Sequence, residues 1–210
     1  MTVTVSVEHD GVDSARTGLE LCIAAGGIAI FPADGLYGLA CDPLNQAAIA
    51  RIHRIKGRDD GKPSAVLYFS PLAMRELVES LGERTRAAVG ALLPGPVTLV
   101  VDNPEHRYPL ACREDPERLG VRLIDGPLTG MMWPVFQTSA NHSGEPAPAI
   151  FADVPLGILS AVDVAIDGGA LTGSPSTVID VTSLDSAGEW TILRQGGMPA
   201  EELQERFNAV

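Results

Sequence analysis

The sequence predicts a single α/β domain spanning residues 1–210. Three observations carry that expectation. Short strand-like apolar runs alternate with segments of helical spacing, three loops (32–38, 56–63 and 138–146) are rich in Gly or small polar residues, and no repeat, low-complexity tract or interdomain linker interrupts the pattern. With 210 residues, 45% of them hydrophobic, the chain can bury a substantial core.

Residues 2–7 alternate Val3, Val5 and Val7 with polar positions, the period of a half-buried strand. Asp13 or Ser14 then caps a helix carrying Leu19, Leu21, Cys22 and Ile23, which Gly26-Gly27 ends. Residues 28–31 form a short apolar strand that runs into 32–39, where Gly and Pro are too frequent for regular structure. Asn45 caps a helix with Ala48, Ile49, Ile52 and Ile55 on one face and Arg51, Arg54 and Arg58 on or near the other. A strand follows at 64–69. Ser70-Pro71 open a helix through Leu81, and a second covers 83–93.

Leu93-Pro94-Gly95-Pro96 is a hard stop before a strand at 97–101, and the polar, Pro-containing stretch 102–117 reads as a surface loop. The strand at 119–123 contains Arg122, which in an apolar segment either faces solvent or pairs with an anion in a cleft. A short helix is expected at 127–133, strands at 135–138, 162–166, 177–181 and 190–194, and a closing helix at 199–207.

A net charge of −12 argues against a protein that coats a polyanion, although it permits a local basic cleft. The apolar run 21–31 is too short for a membrane span and is broken by Gly26 and Gly27, so no membrane partner is expected. Residues 1–10 lack the basic flank of a signal peptide, and Cys22, Cys41 and Cys112 lack disulfide or zinc spacing, which points to a reducing cytoplasm. His9, His53, His106 and His142 are equally dispersed, and no metal site is expected. The oligomeric state is not specified.

Lys56 and Lys62 are the only lysines in the chain. They bracket Gly57 and Gly61, which can take positive φ and bring backbone N–H groups close to a ligand, so the turn could hold an anion. It is not a Walker loop: three residues separate the glycines, and Pro63 stands where a metal-binding hydroxyl belongs. An exposed turn partly neutralised by Asp59 and Asp60 is the other reading. Residues 139–146 (Ser139, Ala140, Asn141, His142, Ser143, Gly144, Glu145, Pro146) admit turn chemistry alone, or a site built where a strand of an open α/β sheet ends.

Seven segments together resemble the YrdC-like threonylcarbamoyl-AMP synthases. They are Phe31 to Leu39 (Phe-Pro-Ala-Asp-Gly-Leu-Tyr-Gly-Leu), Ile55-Lys56-Gly57-Arg58 with Lys62-Pro63, Leu93-Pro94-Gly95-Pro96-Val97-Thr98-Leu99, and Gly120-Val121-Arg122. The others are Thr138-Ser139-Ala140-Asn141-His142-Ser143-Gly144, Pro175-Ser176-Thr177-Val178-Ile179-Asp180 and Ile192-Leu193-Arg194. The resemblance covers roughly residues 14–198. It implies one α/β domain of the YrdC/RibB-like kind, with a twisted mixed sheet and flanking helices around a positively charged cavity.

By the same resemblance, ATP with Mg²⁺, threonine and bicarbonate are the substrates, and the product, threonylcarbamoyl-AMP, supplies a tRNA modification. Lys56 and Arg58 take the catalytic positions, and Lys56, Arg58, Lys62, Ser139, Asn141 and Arg194 the nucleotide contacts. Arg122 and Ser176 hold the amino acid. No protein metal cage is implied. Partners implied are tRNA or tRNA-modification proteins. The pattern departs from the family at Ala33 and Gly35, where typical synthases carry threonines. A divergent YciO-like protein that binds RNA or a nucleotide, with another carbamoylation substrate or none, is the alternative.

Overall fold

The computed structural model describes residues 1–57 and 62–208, and its ten strands form one mixed sheet. The chain runs β1 (Val3–Ser6), α1 (Val7–Asp10), α2 (Val12–Ala24), β2 (Ala29–Ala33), β3 (Leu36–Cys41), α3 (Gln46–Lys56), β4 (Ala65–Tyr68), α4 (Pro71–Ser80) and α5 (Glu83–Leu92). It continues through β5 (Val97–Asp102), α6 (Pro109–Cys112), β6 (Arg118–Leu123), β7 (Val135–Ser139) and a 3-10 turn (Phe151–Asp153). The last elements are α7 (Leu156–Leu159), β8 (Val164–Asp167), β9 (Thr177–Asp180), α8 (Leu184–Ala187), β10 (Thr191–Arg194) and α9 (Ala200–Asn208). The strand order is β1-β8-β2-β3-β7-β4-β6-β5-β9-β10.

Local chemistry sets several boundaries. The Asn45 side chain accepts a hydrogen bond from Ala48 N at 3.0 Å to start α3, and Ser70 accepts from Leu72 N at 3.2 Å with Pro71 opening α4. The cap of helix α2 lies two to three residues before the expected Asp13 or Ser14: Gly11 occupies that place with φ 86°, and Asp13 lies in the first turn. Asp34-Gly35 is a two-residue hairpin turn, with Ala33 paired to Leu36, so residues 36–41 are a strand and not the irregular stretch expected. The Gly and Pro content misled there because Pro32 lies beyond Ala29 and Ile30, the two β2 residues that pair with β8.

Two other expectations fail. No helix forms at 127–133: Gly126 and Gly130 have φ of 142° and 97°, and the Gly130 N–H goes to Phe69 O instead of continuing a helical ladder. Residues 102–117 are not merely surface. Asn103 is buried and donates to Arg107 O (3.0 Å) and Pro116 O (2.8 Å), which folds the loop over the buried Ala111 and Cys112 of α6.

The two faces of the sheet are covered unequally, and this creates the site. Ile28, Ile30, Leu39, Val66, Tyr68, Val97, Leu99, Leu119, Val121, Phe136 and Ile179 point into one large core shared with α3, α4 and α5. On the other pleat, Phe31, Ala33, Leu67, Val135 and Ile166 pack against Ala15, Leu19, Cys22 and Ile23 of α2, with Ile124, Leu128 and Met131 from the loop after β6. That second cluster stops short of β5, β9 and β10. The remaining side chains of the same pleat line an open cavity of about 820 Å³.

Candidate functional site

Strand periodicity explains which residues reach the cavity. Thr98 and Val100 of β5, Arg118, Gly120 and Arg122 of β6, and Gln137 and Ser139 of β7 line it at every second position, as do Ser176 and Val178 from the β9 segment. Lys62, Asn141, Glu145, Asp115 and Arg194 add further polar groups to the wall. Six of the residues expected at the site, Lys62, Ser139, Asn141, Arg122, Ser176 and Arg194, therefore share one cavity. Arg58 falls outside the described residues.

Lys56 is placed differently from the expectation that it surrounds phosphates. Only 3% exposed, it lies behind the cavity surface, where Nζ donates to Ser139 O, Asn141 O (2.9 Å) and Asn141 Oδ1 (3.1 Å). Helix α3 delivers it there because Gly57 closes the helix in a left-handed conformation (φ 65°). The loop is tied further by Ser143 N to Lys56 O at 3.0 Å and Ser139 Oγ to Asn141 Oδ1 at 2.5 Å. Asn141 Nδ2 also donates to Glu145 O at 2.5 Å. An ammonium buried among these oxygens fastens the 139–145 loop, and Ser139 and Asn141 themselves line the cavity.

Arg122 has the opposite character. It is 5% exposed yet lines the cavity; Nη2 donates to Asp34 Oδ2 at 2.5 Å and Nη1 to Gln137 Oε1 at 3.2 Å, while the buried Nε has no hydrogen-bond partner. Burial lowers its pKa, against the attraction of Asp34. The same burial pushes Asp34 up to about 6, against the pull of Arg122 and with a smaller push from Asp125. Of the two alternatives for an arginine in an apolar strand, the paired one holds.

Ser176 bridges β5 and β10. Its Oγ lies 2.8 Å from Thr98 Oγ1, and Arg194 Nη2 donates to Ser176 O at 2.9 Å and Oγ at 3.2 Å. The preceding strap, residues 172–175, rests on the hairpin turn: Gly173 N donates to Gly35 O at 2.9 Å. A Cβ on Gly35 would lie 2.0 Å from Ser174 O and 2.8 Å from Thr172 Oγ1, and one on Gly196 would lie 2.4 Å from Pro175 O. Glycine at 35 is thus a packing requirement here. The strap backbone holds the space where typical synthases carry a threonine.

Sequence reasoning missed Arg118, Thr98, Gln137 and Asp34 as site residues. Arg118 pairs with Asp180 and lies 3.9 Å from Asp115. It was legible as the position two before Gly120 and four before Arg122 on one strand face, but the strand was expected to start at Leu119. Asp34 pairs across 88 residues with Arg122, a contact that no local pattern announces.

The fold defines an α/β protein with one mixed sheet, whose open half-face carries guanidinium, hydroxyl, amide and carboxylate groups around one cavity. The chain belongs to the Sua5/YciO/YrdC family, whose model, described as telomere recombination, matches residues 22–196. The threonylcarbamoyl-AMP synthase of Pyrococcus abyssi is 30% identical over 194 residues, 87% of this chain and 54% of that protein. That of Thiobacillus denitrificans is 32% identical over 180 residues, 81% of this chain and 93% of that protein. Among solved structures, P. abyssi Sua5 complexed with L-threonine superposes with a TM-score of 0.81 at 27% identity, covering 98% of this chain and 60% of that one. The chain therefore spans just over half of its P. abyssi relatives and nearly all of the T. denitrificans one. Among the described residues no helix is long and apolar enough to cross a membrane.

Proposed function

We propose that this chain is a threonylcarbamoyl-AMP synthase: it joins ATP, L-threonine and bicarbonate to form threonylcarbamoyl-AMP and pyrophosphate, and the product feeds tRNA modification. The observation that carries the reading is the clustering of Lys62, Ser139 and Asn141 with Arg122, Ser176 and Arg194 around one cavity of about 820 Å³, in a chain whose relatives bear that name. The space suits a nucleotide together with an amino acid.

The chemistry needs such a wall. Bicarbonate takes up a proton and loses water to give CO₂, and threonine's neutral amine adds to that CO₂ and releases a proton, which yields a carbamate, an anion. Its carboxylate oxygen must then attack the α-phosphorus of a polyanion while the bond to pyrophosphate breaks. Cationic donors lower that repulsion and hold the groups in line, so positioning and electrostatics carry catalysis without a nucleophilic side chain. In this reading Lys62 and Arg194 face the phosphates with Ser139 and Asn141, Arg122 takes the threonine carboxylate, and Ser176 lies between. Lys56 acts by holding the 139–145 loop.

Among the described residues no three His, Cys, Asp or Glu side chains converge as a metal site. Asp115 and Glu145 are the carboxylates at the cavity surface, and Mg²⁺ would arrive bound to the ATP phosphates, whose charge it screens. The test is pyrophosphate release: it is expected only with ATP, threonine and bicarbonate together, and its absence with threonine and every other amino acid tried would sink the reading. Gly35 and the strap seated on it favour a second reading, a divergent YciO-like protein that binds RNA or a nucleotide without this turnover. Salt-sensitive tRNA binding without ATP-dependent turnover would select it.

A further inference from the structure

Arg122 reaches the cavity held from behind. Gln137 and Asp34 take one N–H each from its two terminal nitrogens. Asp34 is not itself part of the cavity wall. It sits in the β2–β3 turn with φ 58°, and the charged groups that face the pair are Asp125 just beyond β6 and Arg194 of β10. A ligand carboxylate on Arg122 and the Asp34 carboxylate would therefore share one guanidinium.

We propose that Asp34 is a positioning residue that aims Arg122 into the cavity and couples the binding of the ligand's carboxylate to its own protonation. The proposal rests on the reading that Arg122 receives the amino-acid carboxylate. Two carboxylates on one cation repel, so the ligand favours the protonated form of Asp34, and by reciprocity a proton on Asp34 tightens the ligand. Burial has already brought this carboxyl up to about 6, which places the coupling between pH 5 and pH 8. Affinity falls as pH rises through that window, because binding takes up a proton that fewer molecules still carry. Threonine's own carboxyl and amino groups do not titrate there.

The experiment is calorimetric titration of L-threonine into the full chain between pH 5 and pH 8, in buffers of different ionisation enthalpy. ATP and bicarbonate are left out because both titrate in this range. The unmodified protein is expected to lose about tenfold in affinity across the window, the size of one pKa unit of coupling, with net proton uptake on binding. Asp34→Asn keeps an oxygen acceptor for Arg122, and Asn tolerates the left-handed turn. This variant is expected to bind with neither pH dependence nor proton uptake. A residue that served only to hold the turn would leave both unchanged.

Carbon NMR of the Asp34 carboxyl in the unmodified protein, with and without threonine, gives a second readout should the variant fold poorly. An upward shift of about one unit on binding is expected. Retention of the pH slope and proton uptake in Asp34→Asn, or an Asp34 titration blind to threonine, overturns the proposal while leaving the substrate reading intact. No threonine binding at any pH overturns both.

Discussion

Lys56 and Arg122 are two cations buried to nearly the same degree, 3% and 5% exposed, yet only Arg122 lines the cavity. Among the described residues, Lys56 donates to oxygens of one loop, at Ser139 and Asn141, and the Lys56 carbonyl accepts from Ser143 N. Arg122 faces one carboxylate, one amide and the cavity, with Nε unpartnered. The first arrangement ties a loop to the end of a helix. The second keeps guanidinium N–H groups at a surface that a ligand can reach, at the cost of a strained balance of charge around Asp34. Burial alone does not distinguish a cation that fastens a loop from one that borders the cavity; its position relative to the cavity wall does.

Lys56→Ala should show the largest effect. It leaves buried carbonyls without a donor, which costs about 3 kcal/mol, and it frees the 139–145 loop, so denaturation should show lower stability and calorimetry weaker binding of both ATP and threonine. Arg122→Ala should separate the ligands. Threonine affinity is expected to fall about 100-fold, the loss typical when one member of a buried charge pair is truncated, with ATP affinity little changed because Asp34 can take a proton in place of the lost cation.

Gly35→Thr restores a hydroxyl of the family pattern at a position where this fold has no room for it. Because its Cβ would meet Ser174 O at 2.0 Å, the strap must move; a loss of about 2 kcal/mol is expected from overpacking, together with weaker threonine binding. Improved threonine binding would show that the strap yields easily. The smallest effect is on pH-dependent stability. Asp34 has its folded-state pKa raised from 3.8 to about 6, so its contribution is fully present below pH 4 and is lost as pH rises to 6 and beyond. Chemical denaturation at pH 4 and pH 7 should show that decline flattened in Asp34→Asn.

Much of the candidate site's lining was legible as a set of residues. Lys62, Ser139, Asn141, Arg122, Ser176 and Arg194 were all expected, and all line the cavity. Strand and helix order was legible too, because caps such as Asn45 and Ser70 act on their own N–H neighbours. The β2–β3 hairpin was missed although Asp-Gly is a strong turn signal, since Pro32 argued locally against a strand. The expected helix at 127–133 failed because its backbone bonds go elsewhere, to Phe69 among others.

What the sequence determined by itself is therefore the alternation of elements and the inventory of polar and cationic side chains that line the cavity, both of which depend on neighbours a few positions away. The tertiary structure decided what those side chains do. Strand β6 lies between β4 and β5, which turns Arg122 toward a half-face that α2 and its cluster leave uncovered. Pairing of β7 with β3 and β4 brings the 139–141 loop over the end of α3, so Lys56 is absorbed as a fastening. Such contacts join residues 83 or more positions apart, and only the assembled sheet brings them within hydrogen-bond reach.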